Sequence, residues 1–308
     1  MKFSNRLCCC LLSTSLLSIA APPLDAQELE PRRWSHLPSG GNFLGGGPAI
    51  TRGDIFFDPV IRAEDAELDM DTSVIKYIHS FEFFEKSARV SVQQGHQNGV
   101  WSGLLDGVPT TLQRVGLTDT VLRFAINLKG APPLSGQDYQ AYRGSQSGET
   151  IVGLGLAVQL PTGEYFDDKL INLGSNRYTF RPQIGAVHNR GNWSFEGTAS
   201  VWLFTDNDEF FGGNRIEQNP LLFLQGHAIR NFPQGHWMGL SVGYGYGAET
   251  TINGLDQDNR REDWAWALSY GFPLATGSSL KLVYAGTETK TLTGLDSDSF
   301  IVAFSLTF

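Results

Sequence analysis

The last nine residues of the chain form its most constraining pattern. Every second residue is large and apolar: Phe300, Val302, Phe304, Leu306 and Phe308. The residues between them are mostly small or polar, with Ile301 as the large exception. Since successive side chains of a strand point to opposite faces, the pattern predicts a strand with one apolar and one polar face. A chain end usually frays in a water-soluble protein, so an aromatic residue there favours a strand whose apolar face meets lipid.

The same alternation recurs along most of the chain. Runs of it start near residues 43, 75, 90, 122, 152, 180, 193, 222, 238, 264, 280 and 300. These runs predict about 12 strands, and an even number is expected of a single-chain bacterial barrel. After residue 26 there is no apolar run of about 18 residues, so no transmembrane helix is available. Closed β-structure is the other architecture that satisfies every backbone polar group in lipid.

The predicted fold class is therefore all-β: a transmembrane antiparallel up-and-down β-barrel of the bacterial outer-membrane type, with about 12 strands. A soluble β-sandwich would also give alternating strands, but its second face should be charged. Here the second face is largely glycine, alanine and serine. The 35 glycines, 12% aromatic residues and mean hydropathy of −0.17 also suit a barrel, in which alternation keeps the average hydropathy low.

The predicted connections alternate in length. Tight turns fall at 188–192, 232–236 and 273–278, and long connections at 54–71, 101–118, 161–176, 206–219, 249–263 and 288–299. Outer-membrane barrels have short periplasmic turns and longer external loops, so both termini are expected in the periplasm. The segment 130–148 should be periplasmic yet is long, and we expect it to carry a helical turn.

The N-terminus predicts export. Lys2 and Arg6 precede an apolar stretch from residue 7 to 20, which is typical of a secretory signal peptide rather than of a buried N-terminal helix. Cleavage is predicted after Ala26, with Ala20 as the alternative. The expected localisation is thus the bacterial cell outer membrane. Cys8, Cys9 and Cys10 all lie in this segment at positions unlike those of a lipoprotein signal, so the mature chain would contain no cysteine and form no disulfide.

Charge and motifs exclude several functions. The chain carries a formal charge of −9, and an acidic chain is a poor candidate for nucleic-acid binding. It contains no G-x-S-x-G, no H-E-x-x-H and no glycine-rich phosphate loop, and its six histidines have no partner at motif spacing. We therefore predict no enzyme, no catalytic residue, no cofactor and no metal site.

The polar face of the predicted strands supplies the candidate lumen and solute-binding residues. These are Lys76, Arg89, Arg123, Gln159, Arg181, Gln183, Glu196, Gln225 and His227. Basic groups that face one another across a pore would favour anions. The alternative is that these charges pair and stiffen the barrel wall.

Aromatic residues near the loop 205–213 are the candidate gate. Trp202 and Phe204 lie just below this loop, and Phe210 and Phe211 lie within it, so together they would line an apolar entrance. The loop also contains Asp206, Asp208 and Glu209 in a run that could bind a divalent cation. Its spacing is not that of a known calcium loop, which favours a solvated surface.

Several stretches resemble a known family. They are the segments 31–43, 87–90, 101–103, 127–132, 172–177 and, above all, 202–213, whose sequence is WLFTDNDEFFGG. They resemble the outer-membrane transporter family named for the meta-pathway of phenol degradation, over essentially the whole mature chain. The resemblance implies uptake of small aromatic or hydrophobic compounds, but no ligand residues carry over. That family often ends in an aromatic such as tryptophan; the alternation ending at Phe304, Leu306 and Phe308 resembles the assembly signal of outer-membrane proteins.

The expected organisation is a signal peptide at 1–26, a periplasmic N-terminal segment at 27–40 that could plug the lumen, and a barrel at 41–308. The expected function is an outer-membrane channel for small solutes. The rival is a structural or surface-interaction barrel whose lumen is plugged. Expected partners are outer-membrane lipid, the barrel assembly machinery and a small-molecule solute, with no nucleic acid.

Overall fold

The computed structural model describes residues 29–56, 63–275 and 277–308. The predicted signal peptide and both of its cleavage sites lie outside these residues. The strands and the single described α-helix are β1 (Asn42–Phe56), β2 (Ala63–Phe83), β3 (Lys86–Leu105), β4 (Val108–Leu117), β5 (Thr120–Lys129), α1 (Gly136–Ser145), β6 (Gly148–Leu160), β7 (Thr179–Arg190), β8 (Trp193–Phe204), β9 (Asn207–Phe210), β10 (Asn214–Gln218), β11 (Leu221–Asn231), β12 (Trp237–Gly247), β13 (Thr250–Ile252), β14 (Leu255–Asp256), β15 (Arg261–Ala275), β16 (Ser278–Thr289) and β17 (Gly294–Thr307). In the described ranges no helix is long and apolar enough to cross a membrane.

Twelve of these strands close into one antiparallel barrel. The order around the wall is β1, β2, β3, β5, β6, β7, β8, β11, β12, β15, β16 and β17, and β17 pairs with β1 to close the ring. At the seam the hydroxyl groups of Thr51 and Ser299 lie 2.8 Å apart. The predicted 12-stranded up-and-down barrel is confirmed.

The alternation of the sequence maps onto the two faces of the wall. On β17 the apolar side chains of Phe300 and Phe304 point outward and are 49% and 39% exposed, whereas Ser297 and Ser299 point inward and are buried. The same contrast holds on β15, where tryptophans alternate with buried alanines. The outward face suits hydrocarbon and the small inward face leaves the lumen free for other side chains.

The external end of the barrel contains more β-structure than expected. The predicted long loop at 101–118 is a hairpin in which β3 continues upward and pairs with β4, and β1 and β2 extend into the predicted loop at 54–71. The loops 206–219 and 249–263 together form a second sheet of four short strands, β9, β10, β13 and β14. Above the membrane the outward face of a strand meets water rather than lipid, so the apolar outward face that marks the other strands in the sequence is absent here.

The connections at the periplasmic end are short, with one exception. The turns after β2, β7 and β11 are tight, whereas the connection between β5 and β6 carries the ten-residue helix α1. The helical turn predicted for 130–148 is thus present. Main-chain hydrogen bonds of 3.1 Å and 3.0 Å between Asn42 and Phe308 tie the first strand to the chain end on this side.

Candidate functional site: the lumen and the segment inside it

Residues 29–39, called here the lumen segment, run inside the barrel from the periplasmic rim at Ser39 to a cluster near the external ends of β8 and β11 at Leu29. Leu29 packs with Phe223 of β11 in a buried apolar cluster, and Trp34 is 1% exposed. The predicted periplasmic segment 27–40 therefore reaches into the lumen wherever it is described. Every predicted lumen residue must be considered together with this segment.

Trp34 occupies a slot in the wall where two inward-facing residues are glycine. A Cβ atom at Gly185 of β7 would lie 1.9 Å from Trp34 Nε1, and one at Gly153 of β6 would lie 2.5 Å from the indole ring. The indole Nε1–H donates to Thr198 Oγ1 at 2.8 Å, so its one polar atom is satisfied although it is buried. Gly153 and Gly185 therefore leave the space that this one large side chain fills.

Glu196 of β8 holds the backbone of the lumen segment. One carboxylate oxygen accepts the N–H of Arg32 at 2.8 Å, and the other accepts the N–H of Trp34 at 3.1 Å. Glu196 is buried, and a buried carboxylate is costly unless it accepts hydrogen bonds. The segment thus satisfies the predicted lumen residue that most needs a partner.

Glu30 brings a negative charge to the basic wall. Its carboxylate lies 2.7 Å from Lys76 Nζ of β2, 3.4 Å from Arg123 of β5 and 3.7 Å from Arg33 of its own segment. Burial alone would raise the pKa of Glu30, but the positive charges of Lys76, Arg33 and Arg123 outweigh burial and hold this pKa well below its usual value. With the segment in place, Lys76 and Arg123 act as anchors rather than as open anion sites.

A further basic residue of the wall contacts the segment directly, and another is linked to it through a glutamine. Arg89 of β3 donates to the main-chain oxygen of Ser35 at 3.3 Å. With its amide oriented to accept, Gln183 Oε1 lies 3.1 Å from an Arg33 nitrogen and 3.0 Å from Arg181 Nε. Gln183 thereby joins the segment to Arg181 on the wall.

His36 fixes the segment at the periplasmic rim. Its Nε2–H donates to the oxygen of Pro132 at 2.7 Å, and the hydroxyl of Tyr139 on α1 donates to the His36 carbonyl at 3.0 Å. Burial lowers the pKa of His36, more than its hydrogen bond to Pro132 and the nearby Glu149 raise it. The long periplasmic connection, through Pro132 and Tyr139, therefore holds the segment where it enters the barrel.

The external mouth is narrowed by the connection between β6 and β7, residues 161–178. Its Ile171 packs with Leu68, Met70 and Trp101 on the inner face of β2 and β3. Asp119 ties its base, accepting hydrogen bonds of 2.8 to 2.9 Å from the Gly163 and Ser175 N–H groups and from Gln159. This connection reaches inward over the mouth rather than out into water.

Arg177, at the end of that connection, stacks on an aromatic residue of the wall. Its guanidinium lies 4.7 Å from the ring centroid of Phe204, and it donates to Gln218. Burial lowers the pKa of Arg177 to about 10, against the opposing effect of Asp206 and Asp119. Below it, the guanidinium of Arg181 lies 4.3 Å from the ring centroid of Trp202. Two cation–π pairs thus lie near each other, formed by Arg177 just before β7 and Arg181 on β7 with two aromatic residues of β8.

The structure places the predicted site residues as follows. Lys76, Arg89, Arg123, Gln159, Arg181, Gln183, Glu196, Gln225 and His227 all lie on the inward face. Trp202 and Phe204 also point inward. Phe210 is buried in a cluster with Ile216 and Ile252 of the external sheet, with Phe211 packed against it. Phe304, Leu306 and Phe308 are exposed on the outer face.

The acidic loop is occupied by an arginine. Arg215 pairs with Asp206, lies 3.4 Å from Asp208 and 3.1 Å from Glu217. Among the described residues, no group of three or more histidine, cysteine, aspartate or glutamate side chains is arranged to hold a metal ion. The carboxylates of this loop are charge partners of Arg215.

Sequence reasoning missed the residues that matter most inside the barrel: Glu30, Arg33, Trp34 and His36. They lie before the first strand, where no periodicity marks a face. The available signal was the pairing of an acidic and several basic residues in a short segment with an isolated tryptophan, beside strands whose inward positions are glycine.

Comparisons with known proteins agree with this architecture. The model of the family described as "Putative MetA-pathway of phenol degradation" matches residues 45–294. The crystal structure of the COG4313 outer membrane channel from Pseudomonas putida F1 has a TM-score of 0.74 at 18% identity, covering 91% of this chain and 99% of that one. The transport unit of the autotransporter AIDA-I from Escherichia coli has a TM-score of 0.53 at 6% identity, covering 87% and 90%. No curated protein sequence matches. At these identities the structural similarity shows the fold, that of a bacterial outer-membrane barrel.

Proposed function

We propose that this chain, which belongs to the family described as "Putative MetA-pathway of phenol degradation", is an outer-membrane channel through which small solutes diffuse once the lumen segment moves. The family description supports aromatic or hydrophobic compounds as the solutes. The description of the Pseudomonas putida relative as a channel supports passage through the barrel. We propose passive transport and no enzymatic activity.

One observation carries this proposal: the obstruction in the lumen is held by side-chain contacts, not built into the wall. Residues 29–36 lie in no strand, and their polar contacts with the wall include Glu30 with Lys76 and Arg123, the main chain with Glu196, and the Trp34 indole with Thr198. Ion pairs and hydrogen bonds of this kind exchange with water at modest net cost. Such a segment can leave the lumen while the barrel stays closed on itself.

Movement of the segment would also change the charge of the pore. When Glu30 leaves, Lys76 and Arg123 lose its carboxylate and face an open lumen together with Arg181. Facing basic groups favour anions. The open channel should therefore select anions, whereas in the closed state the Glu30 carboxylate offsets part of this positive charge.

Single-channel recording in planar bilayers, with solute flux by liposome swelling, tests the proposal. We expect conductance steps and flux for the full chain. Changing Arg123→Glu together with Arg181→Glu should reverse anion preference without abolishing conductance. No conductance and no flux in either assay would contradict the proposal. Unchanged ion selectivity in the double variant would refute the basic lumen alone.

The rival function is a permanently plugged structural barrel. The slot for Trp34 and the hydrogen bond of His36 to Pro132 favour this rival, because both hold the segment closely. A protein of this kind would show no flux under any condition that leaves the barrel folded.

A further inference from the structure

The slot that holds Trp34 is built across three neighbouring strands at one level of the barrel. Gly153 of β6 pairs with Gly185 of β7, which in turn pairs with Thr198 of β8. The two glycines form a flat floor, and the Thr198 hydroxyl at its edge accepts the indole N–H at 2.8 Å. A Cβ atom at Gly155 would lie 3.4 Å from the far edge of the ring. The floor is therefore as long as an indole.

The sides of the slot are apolar. Trp34 packs in a buried cluster with Ala125 of β5, Ala131 of the long periplasmic connection, Ile151 of β6 and Val187 of β7. Each of these side chains is at most 4% exposed. A glycine floor with small aliphatic sides and a hydroxyl at one edge suits a flat apolar ring that carries one polar hydrogen atom.

The slot recognises the ring itself. The close approaches at Gly153 and Gly185 and the hydrogen bond to Thr198 all involve atoms of the indole. The main chain at Trp34 is held separately, by the carboxylate of Glu196. A free planar molecule with a donor on its ring would therefore make the same ring contacts without the peptide.

We infer that this slot is the solute site of the channel, and that its ligand is a small planar aromatic compound with an N–H or O–H group on the ring. This inference rests on the proposed channel function and names the class of solute and the place where it binds. The solute and the Trp34 side chain cannot occupy the slot together. A bound solute therefore keeps the lumen segment out of the slot and favours the open state.

This competition has a definite dose dependence. A ligand that binds only the open state multiplies the open-to-closed ratio by 1 + [L]/Kd, where Kd refers to the empty slot. At a solute concentration ten times this Kd, the ratio should rise about tenfold. The solute thereby opens its own channel.

Binding to the Trp34→Ala protein tests the slot without its competitor. The folded full-length variant in detergent micelles is titrated with a fluorinated indole, followed by fluorine NMR, with empty micelles as the blank. Unlabelled indole and benzofuran are then compared as displacing ligands, because benzofuran has the same two-ring shape with an oxygen in place of the N–H. We expect indole to displace the probe about tenfold better, the effect of one buried hydrogen bond.

Variants made in the Trp34→Ala protein locate the site. Thr198→Val keeps the shape of the side chain and removes the acceptor, so indole and benzofuran should bind equally. Thr72→Val, at another buried threonine of the wall, is the matched control and should keep the preference for indole. Gly185→Val should abolish saturable binding, whereas Gly197→Val should not, because a Cβ there meets nothing closer than 4.0 Å.

Two results would overturn the site. One is saturable indole binding that is unchanged by Gly185→Val. The other is equal displacement by indole and benzofuran in the protein that retains Thr198. Either result would show that indole binds the variant without using the floor or the acceptor that hold Trp34.

Single-channel recording separates this inference from the proposed function, with protein-free bilayers as the blank. Indole should raise the open probability of the parent and leave that of Gly185→Val unchanged, because the valine already fills the slot. A parent that conducts with an open probability independent of indole would overturn the competition and leave the channel intact. A parent that never conducts, although Trp34→Ala binds indole in the slot, would support the slot and refute the channel.

Discussion

The lumen segment is held in two places by different kinds of contact. Inside the barrel, Trp34 fills a glycine slot and Glu30 joins an ion-pair cluster, so burial and charge provide the hold. At the rim, His36 and Ser39 bond to main-chain atoms of the connection that carries α1, including Ser39 N–H to Leu134 at 2.8 Å. The inner anchor fixes whether the pore is filled, whereas the rim anchor fixes where the chain enters. A channel that opens must release the first and can keep the second.

The largest effect on channel opening should come from filling the slot that Trp34 occupies. In Gly185→Val, the new side chain would overlap the indole, because a Cβ there already lies 1.9 Å from Nε1. Expulsion of a buried tryptophan costs about 3 kcal/mol or more, so we expect a pore that is open most of the time in single-channel recordings. Gly197→Val on β8 is the matched control, since a Cβ there meets nothing closer than 4.0 Å. Equal open probability in the two variants would contradict the slot.

A smaller effect should follow Glu30→Gln. The change removes the negative charge of Glu30 and leaves Lys76 and Arg123 close to a neutral amide. The Glu30 side chain is 32% exposed, so we expect the closed state to lose about 1 to 2 kcal/mol rather than the larger cost of a fully buried pair. Since the pKa of Glu30 is depressed, its stabilisation is present above about pH 4.3 and is lost as the pH falls further.

Conductance measured at pH 7 against pH 3.5 checks the effect of Glu30. The parent should open more at the lower pH, and Glu30→Gln should already open more at pH 7. Glu82→Gln, on an exposed residue of β2, should behave like the parent. A Glu30→Gln channel as closed as the parent at pH 7 would show that the ion pairs do not hold the segment.

The smallest effect should come from the rim. Burial lowers the pKa of His36, so this histidine is neutral in the closed state. Its contribution to the stability of that state is lost as the pH falls below the unfolded pKa of about 6.5. Between pH 7.5 and 5.5 the cost is at most about 1.4 kcal/mol. His36→Gln should flatten this part of the pH response of conductance, and His188→Gln on β7 should not. Glu149, Arg143 and Arg89 also face His36, so the profile should be recorded at two salt concentrations. An identical pH response in His36→Gln and the parent would show that His36 does not contribute to holding the segment.

The fold could be predicted from the sequence because lipid imposes one simple rule. Phe300 and Ser299 had to lie on opposite faces, and twelve repetitions of that rule gave the strand number and the closure of β17 on β1. The rule fails above the membrane, where the outward face of a strand meets water rather than lipid, and so 101–118 was expected to be a loop although it is a hairpin.

The inside of the barrel was predictable only in part. The faces of Arg123 and Glu196 followed from strand alternation. Their partners did not, because Glu30 and Trp34 come from a segment without periodicity, distant in sequence by 93 residues in the first pair and 162 in the second. Physical pairing of this kind depends on how the segment threads through the closed barrel, and no local pattern encodes it.

The central claim is that residues 29–36 close the pore and leave it when the channel opens. A cysteine pair, Trp34→Cys with Gly185→Cys, tests it most directly, because Cys8, Cys9 and Cys10, the other cysteines of the sequence, all fall in the predicted signal peptide. With the pair joined by a short thiol cross-linker, we predict no conductance in planar bilayers, and recovery of conductance after reduction of a cleavable linker. Each single-cysteine variant treated with the same reagent should still conduct. Full conductance with the pair cross-linked would contradict the claim.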